Sequence, residues 1–178
     1  MPPMRAAFSL APLVLFSTIT AAEPSGETPL LVQVGGSYLS AATRVQLEKT
    51  WGAYVGVATL LTDTQGFVGW PSADLDARYA NGPTTSLLSV TACYTERFIS
   101  SGERYYFGLG IGGSYNEIGR LASGSNPSRK DKSWGFGGKA LFGYLLTNRA
   151  FVEASYFQTP ELAGIETKSM TVGLGYWF

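Results

Sequence analysis

The amino-acid sequence predicts an all-β fold: an eight-stranded antiparallel up-and-down transmembrane β-barrel over residues 30–178. Apolar residues alternate with small or polar ones at period two, which is typical of strands with two different surroundings. Short and long connections alternate between the segments. Aromatic residues also lie near both ends of the apolar stripes. From Trp134 to Tyr144 the stripe rises through ten residues, which at about 3.4 Å each and a tilt of about 40° spans roughly 26 Å. That is the height of the apolar band of a membrane barrel.

The carboxy-terminal half predicts five strands with this alternation. They are Ser86–Phe98, Arg104–Asn116, Ser133–Leu146, Ala150–Phe157 and Met170–Phe178. Residues 99–103 and 147–149 predict short turns, whereas 117–132 and 159–167 predict longer loops. A soluble sandwich with the apolar face inward is the competing interpretation. The Gly, Ser and Thr residues opposite the aromatic face favour a narrow polar lumen instead.

The amino-terminal half has two interpretations. Leu30–Ser40 and Trp51–Leu61 predict strands in both. In the first, Asp74–Tyr79 is the third strand, with its three charged residues on one face. In the second, a short strand occupies Thr43–Glu48 and 62–83 is a loop. Both interpretations give eight strands in total.

Composition excludes several classes of function. Formal net charge is zero and no basic cluster stands out, so we predict no nucleic-acid partner. Histidine is absent, which removes the commonest general base and metal ligand. The one cysteine, Cys93, excludes a disulfide within the chain and a zinc site of several thiolates. We therefore predict no cofactor and no metal, with Cys93 as an inert lumen residue.

The first 22 residues have the layout of a secretory signal peptide. Arg5 precedes an uncharged, largely apolar run over residues 6–19, and small residues end the segment at Ala22. The run is too short for a spanning helix, which needs about 20 apolar residues. An uncleaved anchor or a buried helix is the alternative. We expect a signal peptide over 1–22, a short segment over 23–29 and the barrel over 30–178.

The final strand suggests a family. It ends on Phe178, and Tyr176 and Leu174 precede it at every second position. This pattern resembles the C-terminal signal by which bacterial outer-membrane barrels are recognised for assembly. The whole mature chain resembles the small eight-stranded barrels, such as the OmpA membrane domain and the OmpX/Ail group. The resemblance covers the signal peptide, the strand start at Trp51 and Gly52, the strands from Ser86 onward and the terminal residues 176–178.

The resemblance implies a location and a set of partners. It implies an outer-membrane protein in contact with outer-membrane lipid and lipopolysaccharide, assembled by the barrel assembly machinery. It also implies that the termini and short turns lie in the periplasm and the longer loops outside the cell. We expect a monomer.

Charged residues on the polar face form the first candidate site. Arg97, Arg104, Lys139 and Glu153 are expected to form an internal salt-bridge network that plugs the lumen, since an unpaired charge there is costly. If residues 147–149 form a three-residue loop, Gly143 faces Glu153. Lys139 then lies roughly 13 Å from Glu153 along the strand. A catalytic site is the disfavoured alternative.

The predicted loop 117–132 is the second candidate site. Its four cations, Arg120, Arg129, Lys130 and Lys132, could meet anionic groups, or the loop could be merely solvated. The sequence thus predicts a non-enzymatic structural or surface-interaction barrel, with a narrow channel as the alternative. A lipid hydrolase is disfavoured because the chain has no histidine base.

Overall fold

A computed structural model describes residues 30–61, 70–99, 104–120, 129–162 and 164–178. The predicted signal peptide over 1–22 and the segment 23–29 lie outside these ranges. Within them, no helix is both long and apolar enough to cross a bilayer.

Eight antiparallel strands form a closed barrel. Their bounds, with one helix, are β1 Leu30–Leu39, α1 Ala41–Leu47, β2 Trp51–Leu60, β3 Trp70–Asn81, β4 Thr85–Ile99, β5 Tyr105–Arg120, β6 Arg129–Leu145, β7 Ala150–Gln158 and β8 Ser169–Trp177. Each strand pairs with the next, and β8 pairs with β1 to close the sheet. Closure leaves no unpaired sheet edge, as a bilayer requires. The predicted up-and-down barrel is confirmed.

The first interpretation of the amino-terminal half is correct. β3 contains the predicted strand Asp74–Tyr79, whereas residues 41–47 form α1 rather than a strand. Ser40 caps the helix, because its hydroxyl accepts a hydrogen bond from the Thr43 backbone N–H at 3.3 Å. Glu48, with a φ of 52°, ends the helix in the left-handed region. The N-cap and the left-handed stop explain why this seven-residue segment winds into a helix.

The predicted loop 117–132 is wrong at both ends, because β5 continues to Arg120 and β6 begins at Arg129. Glu117 lies directly opposite Lys132 in the ladder. Its carboxylate is 2.7 Å from Lys130 Nζ and 3.7 Å from Lys132 Nζ. Opposite charges on facing strands stabilise a ladder, so these polar residues extend the hairpin above the apolar band.

The two ends of the barrel differ. We call the end with Leu30 and Phe178 the terminal end and the opposite one, where α1 lies, the helix end. Short connections were expected at the terminal end and long ones at the helix end. This expectation is wrong for one connection at each end. The terminal end has a long connection, 61–69, between β2 and β3, and the helix end has a short one, 82–84, between β3 and β4.

The outer wall of the barrel is apolar. Its middle exposes aliphatic side chains such as Val34, Leu75, Ile111 and Val172. Aromatic residues form a girdle at the helix end, made of Tyr38, Trp51, Tyr79, Tyr115, Trp134 and Tyr156. A second girdle at the terminal end contains Tyr105, Phe107, Phe142, Tyr144, Tyr176 and Phe178. An apolar band between two aromatic girdles is the surface that a membrane barrel presents to lipid.

Candidate functional site

Side chains fill the lumen in three layers. The apolar layer at the terminal end consists of Leu31, Ala58, Leu60, Tyr106, Leu141 and Phe151, with Trp70, Leu145 and Trp177 packed against it. The apolar layer at the helix end consists of Leu39, Leu47, Ala80, Leu87, Ile118, Leu162 and Ile165. Leu47 comes from α1, so the helix covers the mouth of the barrel. Between the two apolar layers lies a polar layer.

Inward glycines make room for the rings of the terminal layer. A Cβ atom on Gly143 would overlap the ring of Tyr106, and one on Gly175 would overlap the ring of Phe151. Glycine is therefore required at both positions by close packing. At these two positions the neighbouring aromatic rings occupy the space beside the glycines.

The polar layer carries balanced charge. Its charged side chains, all of them buried, are three cations and three carboxylates: Arg78, Arg97, Lys139, Asp74, Asp76 and Glu153. Arg97 donates from Nη1 and Nη2 to the two carboxylate oxygens of Asp74, at 3.1 and 3.0 Å. Lys139 Nζ lies 2.5 Å from Asp74 Oδ2 and 2.8 Å from Asp76 Oδ2. A buried charge needs partners of this kind to remain ionised.

Arg78, a third cation of this layer, has polar and aromatic partners. Arg78 donates to the hydroxyls of Ser89 and Thr91 at 2.7 and 2.5 Å. Its guanidinium carbon also lies 4.0 Å from the ring centroid of Phe157. This cation–π contact adds to the hydrogen bonds.

Glu153 lies between the polar layer and the terminal apolar layer. It accepts hydrogen bonds from the Tyr106 hydroxyl at 2.8 Å and the Ser155 hydroxyl at 3.1 Å. These bonds link the two layers.

The structure places three of the four predicted lumen residues inside the barrel. Arg97 and Lys139 meet at Asp74, whereas Glu153 has different partners. Gly143 lies opposite Glu153, which is the register that the short turn predicts. Arg104 is exposed just before β5 and makes none of the described lumen contacts.

The partners that complete the network were not predicted. Asp74 and Asp76 hold the cations, and Arg78 extends the layer. A signal was present, because the segment DLDAR places charges at every second position and therefore on one face.

A cavity of about 10 Å³ lies among Asp76, Arg97, Lys139 and Glu153, which is room for about one water molecule. Among the described residues, no group of three or more potential metal ligands occurs. Cys93 is buried on the inward face. The arrangement can fix the strands and obstruct passage.

The predicted surface cations extend the β5–β6 hairpin at the helix end. Arg120 and Arg129 are directly opposite in the ladder, and both are exposed. Arg129 Nε pairs with Asp131 Oδ1 at 2.9 Å. Like charges on facing positions destabilise a sheet, so a bound anion between the two arginines would relieve a repulsion.

The predicted assembly residues lie on the outer wall of the barrel. The backbone N–H of Phe178 donates to the Leu30 carbonyl at 2.9 Å. The ring of Phe178 stays on the outer wall, 5.0 Å from the ring of Tyr176. Leu174 and Phe178 are 61% and 71% exposed. The C-terminal pattern thus forms an apolar strip on the wall.

Comparison with known proteins identifies the fold. No family model and no curated protein matches the chain. The chain is similar to the crystal structure of Neisserial surface protein A, with 14% identity, a TM-score of 0.55 and 84% of this chain and 94% of that chain covered. It is also similar to the N-terminal β-barrel domain of Pseudomonas aeruginosa OprF, with 16% identity, a TM-score of 0.58 and coverage of 85% and 98%.

A third similar structure contains a ligand. It is Ail, the attachment invasion locus protein of Yersinia pestis, in complex with the heparin analogue sucrose octasulfate. The identity is 11% and the TM-score 0.59, and the match covers 85% of this chain and 99% of that chain. The chain has the fold of the small eight-stranded outer-membrane β-barrels, and its apolar, girdled wall is the surface of a barrel that spans a membrane.

Proposed function

We propose that the protein is a non-enzymatic scaffold of the outer membrane that acts through the surface it presents at the helix end. The observation that carries this proposal is the filled lumen, in which apolar layers lie on both sides of the charged layer. Eight strands enclose an interior that side chains can fill. The absence of histidine supports a non-enzymatic role, because it removes the base used by small lipid-hydrolysing barrels.

Ion conductance tests the scaffold against the channel. Purified protein in a planar bilayer should give no stable conductance steps. Stable steps in the wild-type protein would overturn the scaffold and favour the narrow channel. Asp76→Asn would then test the path, because removing a lumen charge changes the conductance only if ions pass through the polar layer.

The orientation of the barrel is part of the proposal. The family resemblance supports a helix end outside the cell and a terminal end in the periplasm. Cysteine labelling on intact cells with a membrane-impermeant maleimide tests it. Ala42→Cys on α1 should be labelled, whereas Asn148→Cys in the terminal turn should not. Cys93 gives little background because it is buried, and the reverse labelling would refute the orientation.

The cationic end of the β5–β6 hairpin is the proposed contact surface. Four cations, Arg120, Arg129, Lys130 and Lys132, occur there against two carboxylates, Glu117 and Asp131. A sulfated or phosphorylated polysaccharide is the partner that such a surface fits, because it presents closely spaced anions. The heparin analogue bound by Ail makes a sulfated polymer a suitable first probe.

Heparin binding tests the contact surface. The protein in neutral detergent should bind heparin at low salt and release it as salt rises, since exposed charges are screened. The double variant Arg120→Gln/Arg129→Gln should bind more weakly. Arg149→Gln, at the terminal end, removes an exposed cation far from the hairpin and should bind like the wild type. Equal losses in both variants would show a non-specific charge effect and refute the assigned surface.

A further inference from the structure

A cleft lies on the outer wall at the helix end, between α1 and strands β7, β8 and β1. It measures about 250 Å³, and its lining includes Tyr38, Ser40, Arg44, Tyr156, Lys168 and Met170. Tyr38 and Tyr156 each lie directly opposite Met170 in the ladder. Since these three side chains belong to the girdle level of the outer wall, the floor of the cleft is continuous with the surface that contacts lipid.

Hydrogen bonds hold the two sides of the cleft together. The Ser40 hydroxyl and the Thr43 hydroxyl both donate to the Glu166 carbonyl, at 2.8 and 2.7 Å. The Ser40 backbone N–H donates to the Lys168 carbonyl at 3.1 Å. The start of α1 is therefore fastened to the segment that precedes β8. A cleft that is already formed does not lose conformational entropy when a ligand binds.

Two cations line this cleft. Arg44 Nη1 donates to the Tyr38 hydroxyl at 2.8 Å, and the guanidinium carbon lies 4.9 Å from the centroid of the Tyr38 ring. Within the described ranges, no carboxylate forms an ion pair with Arg44. Lys168 Nζ is 3.0 Å from Glu166 Oε1. This hydrogen bond raises the pKa of Lys168, so the amine stays charged at neutral pH.

We propose that the cleft binds a phosphorylated acyl lipid of the outer leaflet. The phosphate would lie against Arg44 and Lys168, and an acyl chain would follow Tyr156 and Met170 down the wall. Arginine and lysine are the side chains that recognise phosphate, and the apolar floor fits a ligand that continues into the bilayer. The inference rests on the proposed orientation, because the cleft faces the outer leaflet only if the helix end is outside the cell.

Lipid binding to the full chain tests the site. The barrel is reconstituted in nanodiscs, and binding of diphosphorylated lipid A is compared with binding of its dephosphorylated form by native mass spectrometry. The wild type should prefer the phosphorylated form. The double variant Arg44→Gln/Lys168→Gln should weaken its binding roughly tenfold or more, the effect of losing charge-assisted hydrogen bonds. Arg44→Lys should retain most of the affinity.

A matched variant separates this site from general surface charge. Arg104→Gln/Arg149→Gln also removes two exposed cations, but from the terminal end, and should bind the lipid like the wild type. A heat-shifted band on unboiled gels checks that each variant is folded. Should the double cleft variant fail to fold, Lys168→Gln alone, at a partly exposed side chain, provides the comparison and should weaken binding severalfold.

Three results would overturn the site. They are unchanged binding in the cleft variant, equal binding of the dephosphorylated lipid, and displacement of the lipid by millimolar inorganic phosphate, which would mean a phosphate site without a lipid. The proposed function fails by other results. Conductance steps would refute the scaffold without affecting the lipid site. Reversed cysteine labelling with lipid binding retained would mean that the cleft binds a lipid of the inner leaflet.

Discussion

Replacing Asp74 with asparagine should lower the free energy of unfolding by about 3–5 kcal/mol, the typical cost of removing one partner of a buried ion pair. Asp74 Oδ2 lies 3.0 Å from Arg97 Nη2 and 2.5 Å from Lys139 Nζ, and none of the three side chains is more than 2% exposed. The substitution keeps the shape of the side chain and removes its charge. Two buried cations would then share one carboxylate fewer, and no solvent would screen them.

Urea unfolding in lipid vesicles, followed by tryptophan fluorescence, measures this loss. Asp131→Asn is the matched control, because it removes the same charge from a pair of similar length, 2.9 Å, in which Arg129 is 75% exposed. Exposed pairs of this kind contribute about 0–1 kcal/mol. The two variants should therefore differ by more than about 2 kcal/mol.

A compensating variant identifies the cause of the loss. Asp74→Asn/Lys139→Met restores a neutral lumen and should recover part of the lost stability, because the one excess positive charge is gone. An Asp74→Asn protein that unfolds at the same urea concentration as Asp131→Asn would refute the reasoning. It would mean that water reaches the charged layer in spite of the apolar layers.

Three other changes probe the packing and the C-terminal strip. Gly143→Val forces a side chain into the Tyr106 ring and should lower the free energy of unfolding by about 1–3 kcal/mol in the same assay. Gly113→Ala places its methyl group in open space and should change stability little. Equal effects of the two variants would refute the close packing at Gly143. Leu47→Ala should lower the free energy of unfolding by about 2–5 kcal/mol, because Leu47 is fully buried in the apolar layer at the helix end. An unchanged midpoint of the urea transition would mean that α1 is not held over the mouth of the barrel. Deleting Phe178 removes one backbone hydrogen bond to β1, so refolding in detergent should persist while the heat-shifted band in cellular outer membranes declines; an undiminished band would exclude Phe178 from the assembly signal.

The wall of the barrel could be predicted because its cause is local. In β8, residues such as Leu174 and Tyr176 face outward because side chains alternate along any strand. The register of the β6–β7 hairpin was equally local, since a short turn places Gly143 opposite Glu153. The polarity of residues 117–120 and 129–132 predicted a loop where β5 and β6 in fact continue. Beyond the apolar band, charged residues on facing strands pair with each other, so polarity alone does not mark the end of a strand.

The ion pairs of the lumen could not be predicted from a local pattern, because they join residues that are far apart in the sequence. Asp74 on β3 and Lys139 on β6 belong to strands that do not pair with each other. Only closure of the sheet brings them within 2.5 Å. The cleft depends likewise on α1, a seven-residue helix that neither interpretation of the amino-terminal half contains.

The balanced charges of the lumen constrain how the barrel can enter a membrane. An open sheet inserted into lipid would carry the acids of β3 and the lysine of β6 apart, each without its partner and without water, and several such charges would oppose insertion strongly. A sheet that curls first, while its inner face is still hydrated, lets each acid find its base before the solvent is lost. The ion network therefore favours chains that close as they insert over chains that insert before they close.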